Sequence, residues 1–107
     1  MVRTIEGESG NLYSLEGPFD FESIRDVGGI YVIVCPTPLQ TQIVDIGESG
    51  QLKTRLDNHE RRDCWYRNCN PDRLQVYVFY TPGMSEEHRM EIEADLRSHW
   101  NPPCGKW

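Results

Sequence analysis

With 107 residues, of which 37% are hydrophobic and 26% charged, the chain has material for one domain with one modest core. Its net charge of −6 argues against strong nonspecific binding to nucleic acid, which depends on Lys and Arg neutralising phosphates, although the distribution of charge matters more than the sum. No apolar run approaches the roughly 20 residues of a membrane span.

The opening MVRTIEGESG lacks the apolar stretch of a signal peptide. The expectation is a cytoplasmic protein with no membrane partner. Cys35, Cys64, Cys69 and Cys104 are then expected to be reduced, with no disulfide framework.

Val2 to Glu16 alternates around the turn-rich Gly7-Glu8-Ser9-Gly10-Asn11 and predicts a weak hairpin or an extended arm. Gly17-Pro18 breaks it. Residues 1–27 are therefore predicted to form an N-terminal arm or hairpin before a domain over 28–107, with a short helix within Phe19 to Val27. Gly28 to Cys35 is β-branched and aromatic and predicts a strand, closed by Pro36-Thr37-Pro38. Gln42 to Ile46 is a second strand, and the short link makes the pair an antiparallel hairpin.

Ser49 is a candidate N-cap for a helix to about Glu60, with Leu52, Leu56 and His59 on one face. Arg61 to Asn70 is ambiguous and reads as further helix. Leu74 to Tyr80 is a third strand. Pro82-Gly83 turns the chain, and Ser85 caps a helix to about Trp100, stopped by Asn101-Pro102-Pro103. This order predicts an α/β domain: a central antiparallel three-stranded sheet flanked by helices.

Several residues contradict their local pattern. On a helical wheel, Ile92, Leu96, Trp100 and Met90 form an apolar arc that contains Glu93, while Glu87, Glu91, Asp95 and Ser98 take the opposite side. A carboxylate there needs a partner: an ion pair with Arg89 or Arg97, or a metal. His59 shares the face of Leu52 and Leu56, and Arg55 flanks it one turn earlier. Read separately, His59 is a satisfied core histidine and Arg55 a surface arginine with a buried stem. Asp45 sits in a strand interior, where Asp is disfavoured. There it could accept hydrogen bonds from amides near the helix start, with Ile43 on its own face and Tyr31 and Ile33 together on the neighbouring strand.

These outliers fall in the order of a known pattern. Gly29-Ile30-Tyr31 resembles the first signature of the GIY-YIG nuclease superfamily. Asp45-Ile46-Gly47 resembles the second, with Asp in place of Tyr. Arg55 follows at the place of the family's helix arginine, His59 one turn later, Glu93 opens a Glu-Ala-x-Leu stretch, and Pro102 stands where a closing proline is common. The resemblance covers about residues 28 to 105. Gly105 stands where the family has asparagine, and Glu48 near where some members carry lysine.

What the resemblance implies is a metal-dependent endonuclease acting on DNA, or RNA, with Tyr31, Asp45, Arg55, His59 and Glu93 at the catalytic site. Tyr31 would help deprotonate water, Arg55 would stabilise phosphate charge, His59 would assist proton transfer, and Glu93 would ligate one Mg²⁺ or Mn²⁺. The alternative is a catalytically degenerate module of the same fold, binding nucleic acid or a protein.

Lys53, Arg61, Arg62 and Arg67 form a basic cluster that is either a nucleic-acid surface or a solvated helix face. Trp65 beside it reads as core. His59, Cys64, Cys69 and Cys104 also make a nitrogen–sulfur set of the kind zinc takes, at unusual spacing.

Overall fold

A computed structural model describes residues 2–105. The strands are β1 (Val2–Glu6), β2 (Leu12–Phe19), β3 (Gly29–Pro36), β4 (Thr41–Ser49) and β5 (Gln75–Tyr80). The helices are α1 (Leu52–Asp57), α2 (Arg62–Asn68) and α3 (Glu86–Trp100). All strand pairings are antiparallel, in the order β1-β2-β5-β3-β4.

The class is α/β as expected, but the sheet has five strands rather than three. The N-terminal hairpin adds the other two, because β2 pairs with β5. Gly17-Pro18 does not end β2. The register shifts between Glu16 and Phe19, and Gly17 takes φ +140 where a Cβ would press on the Val76 carbonyl at 3.0 Å. Glycine lets the strand bulge there and continue.

The sheet buries both faces. Tyr31, Ile33, Val44, Val76 and Val78 pack against Leu52, Leu56 and Trp65 of α1 and α2. Ile30, Val32, Val34, Ile46 and Tyr77 pack with Ile92 and Leu96 of α3 and with Ile5, Tyr13 and Leu15 of the hairpin. The unbroken burial of β3 follows from cover on both sides.

Strand β4 carries a bulge. Ile33 pairs with Asp45 while Val34 pairs with Ile43, so Val44 is the extra residue. Ile43 therefore packs on the α3 side and Val44 on the α1–α2 side. Asp45, opposite Ile33, points to the α1–α2 side as well. The expectation that Ile43 and Asp45 share a face fails because alternation breaks at a bulge.

The expected helices are shorter. Only Phe21–Ser23 forms a 3₁₀ turn within 19–27. The segment from Ser49 splits into α1 and α2 around Asn58–Arg61. Ser49 ends β4 and accepts the Gln51 N–H at 3.0 Å. Asp26 accepts from the Thr54 N–H at 2.9 Å and its hydroxyl at 2.8 Å, which satisfies an open amide of the α1 first turn from outside the helix. In α3, Ser85 accepts the His88 N–H at 3.1 Å, as the sequence predicts. Met90 and Trp100 are largely exposed, so the apolar stripe is narrower than expected. Asp95 is not on a solvent side: it accepts from the Ser9 amide and hydroxyl and the Tyr13 hydroxyl, each at 2.7 Å, fastening the hairpin to α3.

All four cysteines are paired, Cys35 with Cys69 and Cys64 with Cys104. This overturns the expectation of reduced thiols and removes the sulfur ligands of a zinc site. Pairing residues 34 and 40 positions apart is a tertiary fact that spacing alone does not reveal. Among the described residues no helix is long and apolar enough to cross a membrane.

Candidate functional site

The outlier residues meet beside β4, which is an edge strand. Two of its carbonyls are engaged: Val44 accepts the Cys104 N–H at 3.1 Å, and Ile46 accepts from Arg97. Along that stretch the C-terminal segment takes the place of a further strand.

Tyr31 stands opposite Gly47 in the β3–β4 ladder, and a Cβ on Gly47 would collide with the Tyr31 hydroxyl. The glycine is what lets the phenol lie across its neighbour strand. At its far end the hydroxyl meets His59 Nε2 and receives Arg61 Nη2 at 3.2 Å. His59 Nδ1 accepts the Arg61 main-chain N–H at 3.1 Å. A neutral His59 therefore carries its proton on Nε2 and donates it to the Tyr31 oxygen.

Both groups are held in their neutral forms. Burial, and then the Arg55 and Arg61 charges, push the His59 pKa down to about 4. Burial, and then the Asp45 charge, raise that of Tyr31 above its ordinary value. His59 has a consequence for stability. Unfolded, it titrates at 6.5, and folded at about 4. Between those values the unfolded chain takes up a proton that the folded chain refuses, so stability is full above the upper value and falls as pH drops. Between pH 7 and 5 the expected loss is about 2 kcal/mol. Urea midpoints of wild type and His59→Gln over that range check it, because the variant should lose the slope.

Asp45 is fully buried and saturated with donors. Its Oδ2 accepts Arg61 Nε at 2.7 Å and Trp65 Nε1 at 2.8 Å. Its Oδ1 accepts the Ile46 N–H at 2.8 Å, Arg97 Nη1 at 2.9 Å and Arg61 Nη2 at 3.3 Å. It holds other groups in place and has no free edge for substrate. Its partners went unrecognised in the sequence. A strand aspartate signals a need for cationic company, but not which arginines supply it.

Arg55 is held by Glu60 through a two-pronged pair at 2.5 and 2.7 Å. That pair holds the Glu60 carboxyl at about 2. Glu60 lies 3.8 Å from Arg61 Nη1 and 4.0 Å from His59 Nδ1, and its side chain is 63% exposed. An exposed carboxylate thus lies between two guanidinium groups, beside the Nδ1 edge of His59. Sequence reasoning did not single out Glu60.

Glu93 is half-buried on the inner side of α3. The ion pairs expected for it go elsewhere: Arg89 binds Glu48 at 2.9 Å and Arg97 binds Asp45. Glu93 has no hydrogen-bond or ion-pair partner among the described residues. Burial raises its pKa, Arg97 opposes this, and Glu48 and Asp45 reinforce it. Glu93 is also among the charges that act on the Tyr31 hydroxyl, as is Arg55. The five predicted residues therefore gather in one region.

A half-buried carboxylate with no hydrogen-bond or ion-pair partner among the described residues is a candidate for holding a hard divalent cation. No set of three or more His, Cys, Asp or Glu ligands is present among the described residues, so such an ion would rest on Glu93 and otherwise on water and phosphate oxygens.

Of the basic cluster, only Arg61 enters the site. Lys53 pairs with Asp57 at 3.0 Å. Arg62 lies against the Phe21 and Trp65 rings and donates to the Leu56 carbonyl at 2.6 Å. Arg67 is exposed. Trp65 is core, as expected. No protein-family model, curated protein or solved structure matches the chain.

Proposed function

We propose that this protein is a GIY-YIG-like endonuclease that hydrolyses phosphodiester bonds of DNA, or RNA, with one Mg²⁺ or Mn²⁺. The observation that carries this reading is the Glu60 carboxylate held by the Arg55 fork and facing Arg61, beside the His59 that meets Tyr31. A site that already binds one oxyanion can exchange it for another, and a guanidinium fork suits phosphate oxygens. Glu93 is the residue that would hold the ion, which supplies Lewis-acid polarisation of the phosphate.

In this reading Tyr31 takes a different role from the one the resemblance implies. Its oxygen accepts N–H groups from His59 and Arg61, and its pKa lies above the ordinary phenol value. Such a phenol rests protonated, so in this reading it gives a proton to the leaving oxygen instead of drawing one from water. As water oxygen bonds to phosphorus, the ester P–O bond breaks and its electron pair leaves with the departing oxygen. That oxygen takes the Tyr31 proton, and the attacking water loses one proton to solvent. The two N–H donors then support the phenolate until it is reprotonated. The two disulfides argue for a setting that keeps thiols oxidised, against the cytoplasmic expectation.

The second reading, a phosphate-holding module without turnover, draws support from Tyr31 being only 1% exposed. One experiment separates them: labelled DNA and RNA with Mg²⁺ or Mn²⁺, using wild type, Glu93→Ala and Arg55→Ala. The hydrolase reading expects each variant to cut slower by on the order of 10²-fold or more. Salt-sensitive binding without cutting supports the module. Equal rates in all three proteins mean a contaminant, and no binding at low salt sinks both readings.

A further inference from the structure

Arg61 touches both members of the Tyr31–His59 pair by different means. Its main-chain N–H reaches His59 Nδ1 at 3.1 Å, and its Nη2 reaches the Tyr31 oxygen at 3.2 Å. The guanidinium is anchored from behind by Asp45 at 2.7 Å. It lies against Gly105, where a Cβ would come within 2.9 Å of Arg61 Nε. The bulge aims Asp45 at this side of the sheet, and the positive φ of 74 at Gly105 suits a residue without a side chain. Asp45, Gly105 and Arg61 thus form one unit.

We infer that Arg61 is the positioning residue of this site, its main chain fixing the His59 tautomer and its side chain turning the Tyr31 hydroxyl proton outward. With His59 Nε2–H and Arg61 Nη2–H both donating, the two lone pairs of the Tyr31 oxygen are taken and its own hydrogen must point elsewhere. The consequence for turnover rests on the hydrolase reading above, while the geometry of the pair does not.

Arg61→Lys and Arg61→Gln test the inference in the 107-residue chain. Lysine keeps a cation for Asp45, but one ammonium cannot serve Asp45 and Tyr31 as a planar fork does. A merely structural Arg61 would leave Arg61→Lys with wild-type behaviour. The expected result is a folded Arg61→Lys protein with a Tyr31 ¹³Cζ resonance displaced from wild type. Its kcat on labelled DNA with Mn²⁺ should drop by at least about tenfold, and Arg61→Gln should fall at least as far. His59 should show the Nε2–H tautomer in all three proteins by ¹⁵N–¹H correlation. An Nδ1–H tautomer in wild type, an undisplaced Tyr31 resonance in Arg61→Lys, or unchanged kcat there would overturn the inference. If wild type cleaves nothing, the resonance measurements still decide the role of Arg61, and the missing cleavage counts against the hydrolase reading alone.

Discussion

Replacing Asp45 with alanine is expected to leave the domain barely stable or unfolded at 25 °C. Asp45 accepts from Arg61, Arg97, Trp65 and the Ile46 amide while fully buried. Removing the shared carboxylate strips the Trp65 indole and the Ile46 amide of an acceptor and takes from Arg97 and Arg61 the carboxylate that both of them bind. Breaking one buried ion pair costs about 3–5 kcal/mol, and each abandoned donor adds about 1–3 kcal/mol. A domain of this size has roughly 5–15 kcal/mol in total. Arg97 also donates to the carbonyls of Ile46, Cys104 and Gly105, so the tail that covers the β4 edge should loosen with it. Urea unfolding followed by tryptophan fluorescence measures this, since Trp65 is buried against His59 and bonded to Asp45. A variant within about 1 kcal/mol of wild type would show that Asp45 is dispensable to the fold.

Reduction of the two disulfides is expected to lower the melting temperature by roughly 20 °C or more. Cys35–Cys69 ties β3 to the end of α2, and Cys64–Cys104 ties α2 to the tail beside Gly105. The bridges span sequence separations of 34 and 40. In the chain-entropy model, closing loops of that size restricts the unfolded ensemble by about 3–4 kcal/mol each. Thermal melts followed by circular dichroism, with and without a dithiol reductant, give the difference. Thiol titration of the unreduced protein in denaturant supplies the control, because a fully paired chain releases no thiol until reductant is added. Four titratable thiols there, or an unchanged melt after complete reduction, would refute this account of what holds α2 in place.

The elements with strong local signals are legible in the sequence. The apolar run ending at Cys35, the aromatic strand before Tyr80 and the Ser85-capped helix all lie where their patterns put them. Their periods and caps are set by neighbours a few residues apart. The site was legible as a set of residues out of keeping with their surroundings. Tyr31, Asp45, Arg55, His59 and Glu93 do gather. What each one does was not legible. Asp45 proved to be an anchor, Arg55 a guanidinium already engaged by Glu60, and Tyr31 a hydroxyl whose oxygen lies between His59 and an Arg61 N–H donor.

The sequence by itself determined the α/β class, the antiparallel β3–β4 hairpin and the residues that contradict their local pattern, because each is written in short-range periodicity or in a side chain too polar for its stripe. Only the tertiary structure decided that the hairpin extends the sheet to five strands, that a bulge turns Asp45 toward Arg61 and that the cysteines pair. Those outcomes depend on which distant segments meet. A single extra residue in one strand reverses which face every later side chain takes, and local pattern does not record it.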